Sequence, residues 1–353
     1  MSAFAVEVAA ASIAVRDRAP AEVCNAYVAG RLDATAYHLP AWLGIVGRAF
    51  GHDTSYLVAE CDGRVAGVLP LVFFSSRLFG RFAVSLPFFN YGGVLADSDI
   101  IARALLRRAI EQTQQAGGTH LELRHRGTPL FPELPSRLNK VAMELSLQPT
   151  IDRQWQALDR KLRNQVRKAE KSGLSAEVGG LELLHSFYAV FARNMRDLGT
   201  PVYGIGFFRE VLSTFPERSR VVCVRHDGRP VAASIVHWTD ARIEVPWASA
   251  LREFNPMCAN VLLYWTMLKF AIDKGLPLFD FGRSTRDHGT FHFKKQWGAT
   301  PVQLVWEYWS AEGHPLPDFN PDSPRFQLAV RTWQRLPTAV TKIVGPRIVR
   351  NIP

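Results

Sequence analysis

The sequence lacks the patterns by which many enzyme classes are read. No GxxxxGK[ST], GxSxG, HExxH or GxGxxG occurs. That excludes a P-loop, a nucleophile elbow, a zincin helix and a dinucleotide fingerprint. Gly204-Ile205-Gly206 comes nearest to the last of these but continues Phe-Phe-Arg. Cysteine is scarce: Cys24, Cys61, Cys223 and Cys258 stand singly, without a CxxC pair. Neither a zinc knuckle nor a dithiol motif is therefore available, no metal is expected, and four dispersed thiols fit a reducing cytosol. No run of about 18 apolar residues is present, so no spanning helix is expected. Met1–Arg16 carries Glu7 and has no basic n-region. It reads as an early strand rather than a signal peptide, and the expected location is cytoplasmic.

What is present is the composition of a packed protein. The 353 residues are 47% hydrophobic and 21% charged, with 22 Phe and 9 Trp for large cores or aromatic-lined clefts. The length suffices for two domains. The net charge of +10 favours anionic partners such as phosphates, nucleic acid, CoA or lipid headgroups, without choosing among them.

An internal repeat organises the chain. Val58–Leu69 and Cys223–Ser234 each read as strand, Asp-Gly turn, strand. The first copy continues through a strand around Phe82–Pro87, the loop Asn90-Tyr91-Gly92-Gly93, a helix over Asp99–Ala116 and a strand at His120–Arg124. The second continues through a strand at Arg242–Pro246, a loop at Arg252–Pro256, a helix over Cys258–Lys274 and a strand at Leu278–Phe281. Strands, a helix and a parallel return in each half predict a duplicated α/β unit with right-handed crossovers. The halves meet near Pro149–Arg160. A basic helix over Arg160–Ser172 and a second helix over Leu181–Leu198 follow, closed by Gly173 and Gly199.

Four constellations carry chemistry, each beside a plainer reading. On the basic helix, Arg163 and Arg167 belong to a cationic stripe that could hold phosphates or be a solvated face. In Phe279-Asp280-Phe281-Gly282-Arg283-Ser284, Gly282 is expected to end a strand and leave Asp280 and Arg283 at the sheet edge. There Asp280 could serve as a base or orient an amine, or the two could form a structural pair. In Gly289–Gly298, two adjacent lysines sit among aromatics, on a strand or hairpin. Lys294 there could stabilise an oxyanion in a low-dielectric wall, or point into solvent; His292 could be packed or catalytic. Asn260 lies in the first turn of a helix whose free N–H groups could bind an anion or be ordinarily capped.

These stretches resemble a known family. Lys161–Leu174, Asn194–Tyr203, Glu244–Ser249, Asn260–Trp265, Asp280–Ser284, Gly289–Ala299 and the ending Leu336–Arg350 are similar to the FemAB-like branch of the GNAT superfamily. Within it the likeness is to the subgroup linked to exosortase/PEP-CTERM systems. The resemblance implies an α/β (α+β) fold made of two tandem GNAT-like domains, residues 1–150 and 151–323, each a mixed sheet flanked by helices. The second opens with the basic helix at about 158–173, and a basic amphipathic tail spans 324–353. It implies transfer of an acyl or aminoacyl group from acyl-CoA or aminoacyl-tRNA to an amine acceptor on a small molecule, peptide or glycan precursor. Exopolysaccharide, peptidoglycan or other envelope biogenesis is the implied setting. Lys294 falls at the Lys of the family's Phe-Lys motif and Trp297 at a position the family fills with a large aromatic. Arg283 and Ser284 belong to the same stretch, and Tyr203 and Trp247 are expected to wall the cleft. Two departures stand out: no heptad insertion for holding tRNA, and no Gln/Arg-x-x-Gly-x-Gly/Ala loop at Arg252–Asn260.

A non-catalytic module that recognises an envelope precursor or partner protein is the alternative. A nucleic-acid module ranks last, and no DNA partner is expected, because the basic residues are not interleaved with exposed aromatics. The tail, with no acidic residue from Pro324 onward, could lie on the inner membrane or pack back on the second domain.

Overall fold

The computed structural model describes residues 12–76, 80–316 and 324–353. Most of the Met1–Arg16 segment lies outside these residues; its end forms β1 (Ile13–Arg16).

The first half comprises β1, α1 (Ala21–Ala29), α2 (Ala41–Phe50), β2 (Asp53–Cys61), β3 (Arg64–Ser76), β4 (Gly80–Val84), β5 (Leu95–Ala96), α3 (Asp99–Gln115), β6 (His120–Arg126), β7 (Ser136–Arg137) and β8 (Lys140–Ser146). The second comprises α4 (Ile151–Ala157), α5 (Arg160–Lys171), β9 (Leu174–Gly179), α6 (Leu184–Leu198), α7 (Ile205–Thr214), β10 (Ser219–His226), β11 (Arg229–Trp238), β12 (Ile243–Ala250), α8 (Ala259–Asp273), β13 (Leu278–Thr285), α9 (Gly289–Lys295) and β14 (Thr300–Ser310). Two tail helices follow, α10 (Pro324–Arg335) and α11 (Thr338–Val349).

The repeat expected from the sequence is present. Asp62 and Gly63, like Asp227 and Gly228, both take positive φ, the condition for the two-residue turns that join β2 to β3 and β10 to β11. In each half one parallel pair follows: β4 with β6, and β12 with β13. Each parallel pairing is only two residues long, Ala83–Val84 with Leu121–Glu122 and Ile243–Glu244 with Phe279–Asp280. Beyond those residues the strands diverge. A β-bulge opens the second pair. Val245 and Pro246 together face the single residue Val236 on β11, which bends β12 away from β13. Pro246 has no N–H to give the ladder, and a bulge is where a strand tolerates that. The strand expected to stop at Pro246 therefore runs on to Ala250.

The boundary expected at residue 150 divides the chain but not the sheet. Among the described residues the strands form one sheet in the order β1-β2-β3-β4-β6-β14-β8-β13-β12-β11-β10-β9. The last strand of the second half, β14, thus sits between β6 and β8 of the first, and β8 pairs with β13 of the second. One core also bridges the halves. Trp42 packs edge-on against Phe89, Phe89 against Trp247, and Trp247 against Phe207. Each fully buried aromatic of this kind stabilises by about 1.5–3 kcal/mol, so the halves are held as one body.

Candidate active site

The site grows from a kink in β13. Asp280 pairs with Glu144 of β8, and pairing resumes at Arg283 with Ala142 after a register shift. Gly282 makes the shift possible. Its φ is +76°, and a Cβ there would lie 3.1 Å from the Val245 carbonyl oxygen. The strand therefore does not end at Gly282 as expected; it bulges and continues to Thr285. Asp280 locks the bulge from within, its Oδ1 accepting the Gly282 N–H at 2.7 Å. Its Oδ2 accepts the Tyr91 hydroxyl from the first half.

The bulge turns two carbonyls toward Lys294. The Lys294 ammonium donates to the Gly282 oxygen at 3.0 Å and to the Arg283 oxygen at 2.7 Å. An ammonium has three donors, so one N–H is left for a further acceptor. Lys294 is 7% exposed, and burial is the main reason its pKa falls from 10.5 to about 8; Asp280 opposes the fall and Arg283 adds to it. At neutral pH it remains largely a cation. The segment is not the strand or hairpin expected but the short helix α9. Phe291, Lys294 and Trp297 recur every third residue and turn inward, while Lys295 is exposed.

Beneath the bulge three carboxyl groups lie side by side: Glu244 on β12, Asp280 on β13 and Glu144 on β8 are register partners. All three are at least 93% buried. Two guanidiniums answer them. Arg126 and Arg242 both pair with Glu144, while Asp280 takes the Tyr91 hydroxyl and a backbone N–H. Glu244 has no comparable donor set. The Tyr37 and Tyr91 hydroxyls approach it, its Oε1 has no partner, and burial and the Asp280 charge push its pKa up to about 8. Glu244 therefore keeps its proton at neutral pH. Because its folded pKa exceeds the unfolded value, this stabilisation is complete below the unfolded pKa and is lost as pH rises through about 8. Wild-type stability is expected to fall by roughly a few kcal/mol between pH 5 and 9, with a flatter profile in Glu244→Gln. Denaturant titrations across that range check this; parallel profiles for the two proteins would refute it.

Beside the bulge stands Arg283. Arg283 is crowded by surrounding protein, which lowers its pKa, yet the residue keeps contact with solvent. It stands 6.0 Å from the Trp306 ring centroid, within electrostatic reach of Arg124 and Tyr203. Arg124 is engaged, donating to Glu122 at 2.6 Å and to the Phe89 oxygen at 2.8 Å. The Arg283 guanidinium makes no hydrogen bond among the described residues and is free for an anion.

Several expected site residues lie elsewhere. Asp280 and Arg283 do not pair, because the bulge turns the carboxylate inward and the guanidinium outward. Arg163 and Arg167 are on α5; Arg167 stacks 5.3 Å over Trp155 and donates to Asn164. No contact among the described residues joins either arginine to Arg283 or Lys294. Trp247 (5% exposed) is a core residue rather than a cleft wall, and Trp297 (2%), the family's large-aromatic position, is likewise in the core. Trp247 fills the core between the halves, and Trp297 packs with Tyr264 and Phe281. Tyr203 is half-buried against Phe50 and Phe88 beside Arg283. Ser284 is buried with an unpartnered hydroxyl. Asn260 is half-buried in the first turn of α8. His292 is exposed and contacts the Asp287 carbonyl oxygen at 3.2 Å. The readings from sequence did not single out Tyr37, Tyr91, Glu144, Arg242 or Glu244. A lone acidic residue inside the apolar run Ile243-Glu244-Val245 is the one signal that could have exposed this cluster.

Residues 157–295 match the acetyltransferase (GNAT) domain family, a span that contains Asp280, Arg283 and Lys294. No curated protein matches the chain by sequence. Among solved structures the fold is similar to FemX, with 14% identity, a TM-score of 0.63, and coverage of 83% of this chain and 96% of that one. L-PGS from Bacillus licheniformis is similar at 11% identity and a TM-score of 0.54, over 90% and 98% of the two chains. A tandem GNAT protein from the clavulanic acid biosynthesis pathway is similar at 14% identity and a TM-score of 0.52, over 87% and 100%. These likenesses show a shared fold, a mixed sheet flanked by helices like that of tandem GNAT proteins, and the family match lies in the second half.

Proposed function

We propose that this GNAT-domain protein transfers an acyl or aminoacyl group from an activated donor, acyl-CoA or aminoacyl-tRNA, to an amine in cell-envelope or exopolysaccharide biogenesis. The observation that carries the reading is the Lys294 ammonium. Two fixed carbonyls hold it, and one N–H is left over. The acceptor amine attacks the donor carbonyl, a C–N bond forms, and the carbonyl electrons pass to oxygen. The remaining Lys294 N–H stabilises that oxyanion, its charge little screened because Lys294 is 7% exposed. Collapse expels the thiolate or the ribose oxygen, and the proton of the attacking nitrogen leaves with it or passes to water. No covalent enzyme intermediate is required.

Asp280 is too enclosed to touch the amine, being 1% exposed with both oxygens engaged. Its role in this reading is positioning: it fixes the bulge whose carbonyls hold Lys294. Arg283 anchors an anionic part of donor or acceptor, with Tyr203 as the opposite wall. Arg163 and Arg167 serve a remote part of a long donor. The deciding experiment is protection against thermal unfolding by CoA, acyl-CoAs and charged tRNA. Stabilisation rising with ligand concentration, about 2.7 kcal/mol at a hundredfold excess over Kd, would identify the donor class. No stabilisation by any of the three would refute the transferase reading and favour a non-catalytic module.

A further inference from the structure

The last thirty residues, 324–353, carry six basic side chains and no acidic one, and so hold six of the chain's ten net positive charges. Their two helices fold back on α6. On α11 the inward residues are Thr341, Gly345 and Val349, one turn apart; on α10 they include Trp333, 9% exposed. Gly345 lies against the backbone of Val202, and Val330 against Gly199. The packed-back alternative for the tail thus describes one face of these helices only.

The outward arcs are also apolar. On α11 they present Val340, Ile343, Val344 and Ile348 beside Arg347; on α10, Leu328 beside Arg331 and Arg335. Ile343 and Leu328 are each 66% exposed. Of thirteen exposed large aliphatic residues among the described residues, six fall in this segment. Scattered singly such residues need no explanation; clustered and ringed by cations they mark a contact surface. No aromatic anchor is exposed on either helix among the residues whose side chains are described, whereas protein interfaces usually centre on one. Aliphatic tips flanked by arginines on both helices instead suit the boundary of an anionic bilayer, with the aliphatics among acyl chains and the guanidiniums at phosphates.

We propose that the outward face of α10 and α11 docks on anionic membrane surfaces. No helix among the described residues is long and apolar enough to cross a membrane, so the contact is peripheral. On the opposite, inward side, Gly345 packs on Val202, next to Tyr203.

Co-sedimentation of the full chain with phosphatidylcholine vesicles, with and without phosphatidylglycerol, tests the proposal without any turnover assay. Binding should be about tenfold or more tighter with phosphatidylglycerol present and should weaken steeply with salt. Ile343→Asp and Leu328→Asp should each lower it about tenfold, and Arg331→Glu with Arg335→Glu should also flatten the salt dependence, all with unchanged circular dichroism. Absence of binding to the anionic vesicles, or variants that bind like wild type, would overturn the proposal. So would a dimer in sedimentation velocity that Ile343→Asp dissolves without any vesicle binding, because the face would then belong to a second copy.

Discussion

Lys294→Met is expected to lower kcat/KM about 100–1000-fold, the usual loss when one oxyanion donor is removed, while leaving the melting temperature unchanged or raised. Methionine keeps the length and apolar volume of the side chain, so Phe291 and Trp297 can stay packed. What it removes is a cation whose burial the fold tolerates at a cost. Because the folded pKa of Lys294, about 8, lies below its ordinary value, the unfolded chain holds the extra proton between those two pH values. Wild-type stability therefore gains from this group as pH climbs from about 8 toward 10.5, and the Met variant lacks that gain. Activity runs the other way and should fall as pH rises through about 8, where the cation is lost. Asp280→Asn should move that alkaline limb to lower pH, since the Asp280 charge favours the protonated ammonium. A merely structural Asp280 would leave the limb in place. Turnover undiminished in a folded Lys294→Met would remove the mechanism.

Glu307→Ala is expected to cost about 3–5 kcal/mol of unfolding free energy, the range for breaking a buried charged network. Glu307 is 0% exposed on β14, the strand inserted between the halves. Its carboxylate accepts the Phe131 N–H at 2.6 Å, the Leu130 N–H at 3.1 Å and His125 Nδ1 at 2.7 Å. Val94 N–H donates to His125 Nε2 at 3.0 Å, so the ring relays the anchor to the loop ahead of β5. Alanine would leave three donors unsatisfied at once, those of His125 and Phe131 buried and that of Leu130 half-buried. Glu307→Gln keeps one carbonyl acceptor and should cost about 1–3 kcal/mol. Burial alone would raise the pKa of Glu307, but the bonds from His125, Phe131 and Leu130 outweigh it and hold the carboxyl below its ordinary range. Its stabilisation is therefore present above the unfolded pKa and fades as pH falls through the folded one, so wild type should lose stability in acid more steeply than Glu307→Gln. Chemical denaturation measures all three proteins; a loss under about 1 kcal/mol for Glu307→Ala would show the network to be dispensable.

The sequence by itself determined the local elements. Asp62-Gly63 and Asp227-Gly228 specify their turns because the positive φ angles they supply suit few other residues. The helices over 99–115 and 160–171 follow from apolar periodicity and their flanking residues, and that over 259–273 from a long run that is apolar on nearly every face. Lys294 stands out in the sequence by its aromatic neighbours and by resemblance, whereas its segment, which reads as a strand or hairpin, is the helix α9. Tertiary structure decided the rest. Gly282 looks like a strand terminator in sequence, yet a glycine with positive φ also permits a bulge, and only the Val245 carbonyl packed against it selects that outcome. Asp280, Glu244 and Glu144 are far apart along the chain, so their meeting depends on strand order and register. The exchange of β8 and β14 between the halves is of the same kind. Local propensity acts over a few residues and can be read in order along the chain. Which strands become neighbours, and therefore which carboxyl groups lie side by side, is fixed only when the whole core is buried at once.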